Sequence, residues 1–136
     1  MYKTTNIKGQ LALTKTELRA LEYGYVPSKP IFDARYDLIL DINGSLSRIQ
    51  VKYADGKMIN SDGSIRVKLE YKDRKKRIYT YQKNEIDGLV VYIPKLDKLC
   101  LFPPNIYENK KFLCIRISRA KNNQKKGVLF ATDYFW

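Results

Sequence analysis

Histidine is absent from the 136 residues, and cysteine and tryptophan are scarce, at two and one. Without histidine there is no Ser-His-Asp or Cys-His nucleophile pair and no His-ligated zinc site. Nucleases that use histidine as a general base are excluded with them. Hydrolytic chemistry in this chain must rest on carboxylates, amides, lysine, tyrosine and a hard cation. Cys100 and Cys114 both lie in apolar runs and read as reduced core thiols rather than a disulfide framework. Long apolar runs are missing too, so no stretch is long enough to cross a bilayer. The start, Met1-Tyr2-Lys3-Thr4, has no apolar run behind a basic head; we expect no secretory leader and a cytoplasmic protein.

Acidic residues are few beside basic ones, 14 against 26, giving a net charge of +12. The excess is concentrated. Residues 57–83 carry nine Lys/Arg and three acids, and residues 110–126 carry seven Lys/Arg and no acid. Two basic segments on a near-neutral body are the electrostatic footprint of a phosphate-backbone binder. No basic amphipathic helix accompanies the charge, which argues against a membrane surface.

The length predicts one domain, residues 1–136. Residues 8–23 read as a helix, with Ile7, Leu11, Thr14, Leu18 and Leu21 at steps of three and four. Gly24 follows where a left-handed cap needs no Cβ. From Tyr36 the period becomes two. Tyr36–Ile42 and Ser45–Tyr53 flank Asn43-Gly44, the strongest short hairpin signal. Residues 54–64 read as a polar loop. Ile65, Val67, Leu69 and Tyr71 then alternate with Arg66, Lys68, Glu70 and Lys72, predicting a strand with one apolar and one mostly basic face. Further strands are expected at 88–93, 98–102 and 112–117, with a turn around Pro103-Pro104 and an apolar aromatic tail from 129. The class is α+β: a mixed, largely antiparallel sheet with an N-terminal helix packed on it.

A two-residue turn pairs Ile42 with Ser45, so stepping back along both strands sets Asp37 opposite Gln50. Opposed residues share a face, with Cβ atoms about 4.5–5.5 Å apart, and Lys52 projects from the same face. Leu38, Leu40, Ile42, Ile49 and Val51 form the apolar side. A carboxylate, an amide carbonyl and an ammonium on one supported face suit phosphodiester hydrolysis: two oxygen ligands for Mg²⁺ (or Mn²⁺) and a cation for transition-state charge. A salt-bridged solvent face, Asp37 to Lys52, would give the same residue pattern.

Asp37 followed by Gln50-Val51-Lys52 resembles the motif of the PD-(D/E)XK nuclease superfamily, with glutamine at the central acid. The order Lys8-Gly9, Gly24-Tyr25-Val26, Pro30, Tyr36–Ile39, Ile49–Lys52, Tyr79-Thr80-Tyr81 and Glu85–Pro94 is similar to the branch of bacterial homing endonucleases encoded in group I introns. The resemblance implies a restriction-endonuclease-like fold and metal-dependent double-strand breaks in DNA at a specific site. Restriction enzymes, Holliday-junction resolvases and a catalytically inactive DNA-binding protein are the alternatives on the same fold. It also implies an extra acid from the first helix, but Leu13 stands at that position. Glu17, one turn on, is the candidate second acid and metal ligand.

Recognition of double-stranded DNA is expected from Arg66, Lys68 and Lys72 with the turn Arg74, Lys75, Lys76 and Arg77, as a β-ribbon for the major groove. Arg116, Arg119, Lys121, Lys125 and Lys126 would add phosphate contacts. One site cuts one strand, so a homo-oligomer, dimer or dimer of dimers, is expected on a long near-palindromic target. The aromatic tail is a candidate interface or an ordinary packed terminus.

Overall fold

A computed structural model describes residues 4–58, 61–118 and 126–136. Helix α1 spans Thr5–Glu22, begun by the Thr4 hydroxyl, which accepts the Ile7 N–H at 3.2 Å. It starts three residues earlier than the apolar period alone indicates, because the cap rather than the first leucine sets the boundary. Tyr23 closes the helix, and Gly24 follows at φ 80°.

Five strands form the main sheet: β1 (Val26–Ser28), β2 (Leu38–Ile42), β3 (Ser45–Tyr53), β8 (Gly88–Ile93) and β9 (Lys98–Phe102), in the order β1-β2-β3-β8-β9. Only the central β3–β8 pair is parallel. The proline-containing β1 sits at the edge, where a missing N–H leaves no gap in the ladder. Asn43 and Gly44 have φ 54° and 90°, and the Asp41 carboxylate accepts the Gly44 N–H at 2.7 Å. Strand β8 is buried along its whole length, as expected of a central parallel strand covered on both faces.

The two faces of this sheet carry different cores. Ala12 and Ala20 of α1 pack with Leu38, Leu40, Ile49, Val51, Val90, Tyr92 and Leu99. Leu89, Val91, Ile93, Cys100 and Phe102 pack instead with Ile65, Val67, Leu113 and Ile115 of a second sheet. That sheet has the order β10-β5-β4, from β4 (Gly56–Met58), β5 (Ser61–Lys68) and β10 (Phe112–Arg116). A short hairpin joins β6 (Tyr71–Lys72) and β7 (Ile78–Tyr79), and α2 is one turn, Pro104–Tyr107. The chain ends in a 3-10 turn, Ala131–Tyr134, with the Trp136 N–H on the Leu99 carbonyl at 3.0 Å. Packing against the sheet thus accounts for much of the aromatic tail. Cys100 is free and buried, and burial pushes its thiol pKa up to about 12.

Two expectations need correction. Residues 54–64 are not wholly loop, since β4 and the start of β5 lie within them. The strand expected through Tyr71 stops at Lys68, because the Leu69 and Glu70 N–H groups both turn to the Lys111 carbonyl, at 2.8 and 3.2 Å. Side-chain alternation survives that break, which is why periodicity could not reveal it. Among the described residues no helix is long and apolar enough to cross a membrane.

Candidate active site

The β2–β3 register matches the turn-derived one from Ile42–Ser45 back to Leu38–Ile49. One residue further it departs. The Asp37 N–H donates to the Ile49 carbonyl at 2.8 Å, and Asp37 Oδ2 accepts the Val51 N–H at 2.9 Å. In a continued ladder the Val51 N–H would meet a backbone carbonyl; here the carboxylate takes that place. Asp37 therefore closes the hairpin with its side chain, leaving Oδ1 free of that bond.

Asp37 and Gln50 line one shallow cleft with Thr5, Asn6, Gly9, Gln10, Leu13 and Val51, between the start of α1 and the hairpin. Leu13 is in it; Glu17 is not. One turn further along α1, Glu17 Oε1 lies 3.0 Å from the Lys29 ammonium beside β1, so the structure does not bring it to Asp37. Gln10 does line the cleft, with its amide nitrogen donating to the Thr14 hydroxyl at 3.0 Å. Sequence reading missed it because a helix-surface glutamine carries no spacing signal.

Charge within this region is held at a cost in solvation. Burial raises the Asp37 carboxyl above the ordinary carboxylate range, against the Val51 N–H and the Lys52 ammonium, which lower it. Burial likewise lowers the Lys52 ammonium; Asp37 opposes that shift, while Arg35 and Lys68 add to it. A carboxyl displaced upward beside an ammonium displaced downward is typical of functional sites, where desolvation sets both shifts. Tyr81 packs under the pair, with Lys52 Nζ 5.7 Å from its ring centroid. Its hydroxyl is pushed up to about 12 by burial, so it is neutral at any physiological pH.

A divalent cation fits the donor set in kind: one carboxylate and one neutral amide oxygen, both hard ligands. Among the described residues no three His, Cys, Asp or Glu side chains gather as a ligand group. The fit is thus to a cation that keeps most of its shell in water and substrate oxygens.

On β5, Arg66 and Lys68 are exposed while Ile65 and Val67 are buried, as the alternation requires. With Gly56, Glu70, Lys111 and Phe112 they line a shallow groove, and the Arg66 guanidinium stacks 3.8 Å from the Phe112 ring centroid. Lys72, Arg74, Lys75 and Lys76 are exposed around the β6–β7 turn. Asp73 organises that turn. Its Oδ1 accepts the Lys75 and Arg77 N–H groups, both at 2.9 Å, and its Oδ2 accepts Arg77 Nε at 2.7 Å. Arg77 is therefore engaged within the protein. So is Arg116, whose Nε donates to the Ser118 carbonyl at 2.8 Å and whose Nη1 reaches Ser64 Oγ at 3.4 Å. Lys126 is exposed; Arg119, Lys121 and Lys125 lie outside the described residues.

The PD-(D/E)XK endonuclease family model matches residues 3–136. Among solved structures, the fold is similar to a bacterial homing endonuclease, I-Ssp6803I, at TM-score 0.80 and 23% identity, covering 98% of this chain and 89% of that one. A weaker likeness is to MepB, at TM-score 0.48 and 17% identity, covering 92% and 87%. No curated protein sequence matches. The chain belongs to the PD-(D/E)XK endonuclease family.

Proposed function

We propose that this PD-(D/E)XK family member is a Mg²⁺-dependent, site-specific DNA endonuclease of the homing type, with its chemistry on the β2–β3 hairpin. The observation that carries the reading is the pairing of Asp37 and Gln50 in one cleft with Lys52, desolvated, close enough to perturb Asp37. The exposed basic face of β5 beside it supports DNA as the substrate, since Lys68 is near enough to act electrostatically on Lys52.

In this mechanism Asp37 and Gln50 would hold the cation, which when bound polarises the phosphate and acidifies a water. Asp37 is fixed for that role by the Val51 N–H on Oδ2. Lys52 holds negative charge developing on the phosphate oxygens, where a desolvated cation acts more strongly than one in water. The apolar side of the hairpin, Leu38, Leu40, Ile49 and Val51, packs on α1 and the central strands and keeps the polar side rigid. Arg66, Lys68 and Lys72 contact the duplex, with the Arg74–Lys76 tip on its backbone.

Breaking both strands calls for two such sites, so we propose a homo-oligomer on a near-symmetric target. The experiment is cleavage selection on a randomised duplex library with Mg²⁺. One long, near-symmetric cut site supports a homing-type enzyme. Preference for four-way junctions would replace it with a resolvase, and binding without cutting in Mg²⁺ or Mn²⁺ would leave a DNA-binding protein on a nuclease scaffold.

A further inference from the structure

Arg35 lies two residues before Asp37, in the loop that leads into β2. Its guanidinium carbon sits 4.0 Å from the Tyr71 ring centroid and 4.9 Å from that of Tyr81. The ammonium of Lys52 approaches Tyr81 as well, at 5.7 Å. Two cations share one aromatic ring, with two carboxylates nearby, Asp37 and Glu85. A third, Lys68, is near enough to act on Lys52. Like charges gathered this way repel, and the repulsion is relieved when a polyanion enters.

The internal bonding of Arg35 does not use its fork. Nη1 lies 2.7 Å from Glu85 Oε2 and donates to the Tyr71 hydroxyl. Glu85 Oε2 nevertheless forms no aligned hydrogen bond, and Nη2 meets no acceptor among the described residues. A guanidinium binds carboxylate or phosphate best through two parallel N–H bonds. Contact at one corner with the second arm unused describes a side chain that gains by exchanging its partner. A purely structural staple between the β6–β7 hairpin and the segment before β8 would have been stronger in the forked form.

We propose that Arg35 is a phosphate-binding residue of the cleft: its guanidinium, parked on Tyr71 and Tyr81 by Glu85, forks onto a backbone phosphate of the DNA strand beside Lys52. The inference rests on the nuclease reading for its substrate. Glu85, Tyr71 and Tyr81 are positioning residues, since they act through Arg35. The side chain is half-buried, 30% exposed, and Nη2 itself is buried, so the swap requires the guanidinium to slide along the ring faces toward solvent.

The test measures binding of a labelled mixed-sequence duplex of about 30 base pairs, in EDTA, across a salt series. Wild type, Arg35→Met, Arg35→Lys and Glu85→Gln are compared, with thermal melts as folding controls. Arg35→Met should weaken binding roughly three- to tenfold at about 0.1 M salt and lower the slope of log K against log salt by about 0.9, the loss of one phosphate contact. Arg35→Lys should keep the slope, because it keeps the charge, yet cut the library-selected duplex about tenfold more slowly, because an ammonium cannot fork. A staple alone would lower the melting temperature of Arg35→Met and leave the slope unchanged, and that result overturns the proposal. Should Arg35→Met fail to fold, Glu85→Gln decides: freeing the guanidinium should tighten binding, and unchanged or weaker binding overturns the proposal. A wild-type chain that cuts, with Arg35→Met binding and cutting equally well, ends this inference alone. A wild-type chain that cuts nothing, while Arg35→Met still loses slope, ends the nuclease reading and keeps Arg35 as a DNA contact.

Discussion

Two aspartates flank strand β3 in nearly the same way and sit in opposite electrostatic surroundings. Asp37 precedes β2 and Asp87 precedes β8. Each sends its backbone N–H to a β3 carbonyl, Ile49 for one and Arg48 for the other, both at 2.8 Å. Each accepts a β3 N–H on its carboxylate, from Val51 at 2.9 Å and from Arg48 at 2.7 Å. The difference is what stands opposite. Asp87 also receives the Arg48 side chain, Nε at 3.1 Å and Nη2 at 3.2 Å, and that partner holds its carboxyl below the ordinary carboxylate range. Asp37 has no such fork; burial dominates and moves its carboxyl the other way. The same local motif therefore gives a carboxyl lowered by an ion pair on one side of β3 and one raised by burial on the other, and the proposed function makes the second the reactive group. An arginine partner in the first place, and its absence in the second, decides which.

Asp37→Ala should abolish cleavage of the library-selected duplex, whereas Asp87→Ala should leave cleavage per folded molecule unchanged. Lys52→Ala should slow cleavage by about 10²–10³-fold, the usual cost of removing one donor to developing charge. DNA affinity in EDTA should move far less. Changing Lys75 and Lys76 to Ala should lower the salt slope of binding by about 2, one unit per lost phosphate contact; an unchanged slope would remove the β6–β7 turn from the interface. The smallest effect is on stability. Asp87→Ala should cost about 1 kcal/mol in urea unfolding, less than a buried charged hydrogen bond because the pair is well exposed.

The pH dependence separates the two aspartates by sign. A carboxyl lowered on folding contributes stability above its ordinary pKa, and loses it as pH falls through the folded value. Wild type should therefore converge on Asp87→Asn in melting temperature under acid. A carboxyl raised on folding does the reverse: between the ordinary and the raised value the folded state holds more protons, and stability declines as pH rises. Wild type should lose ground to Asp37→Asn as pH climbs through that window. Curves that move in the same direction would show that the two carboxyls are not shifted in opposite senses.

What the sequence made legible follows how local the cause is. The Asn43-Gly44 turn needs two positive φ angles, and from it the register followed residue by residue to Leu38–Ile49. The apolar run of β8, the β5 alternation and the PD-(D/E)XK resemblance needed no tertiary knowledge either. The departure at Asp37 was hidden, because it depends on a side chain competing with a carbonyl. Arg35, Tyr71, Tyr81 and Glu85 meet across dozens of residues with no common spacing, so the cluster beside Lys52 had no sequence signal. Charge counting could not show that Arg77 and Arg116 also bond within the protein, to Asp73 and to Ser118, since composition carries no information on partners. Glu17, the proposed second acid, does not line the Asp37 cleft and lies 3.0 Å from Lys29 of the chain after β1, a long-range neighbour that helix spacing could not reveal.

The most direct measurement is cleavage of the library-selected duplex in Mg²⁺ by wild type, Asp37→Asn and Asp87→Asn, each with its melting temperature at neutral pH. If Asp37 is the reactive aspartate, its amide variant melts at or above the wild-type temperature and cuts nothing, while Asp87→Asn melts lower and still cuts. An Asp37→Asn chain that cuts like wild type would contradict the account and move the chemistry off this hairpin.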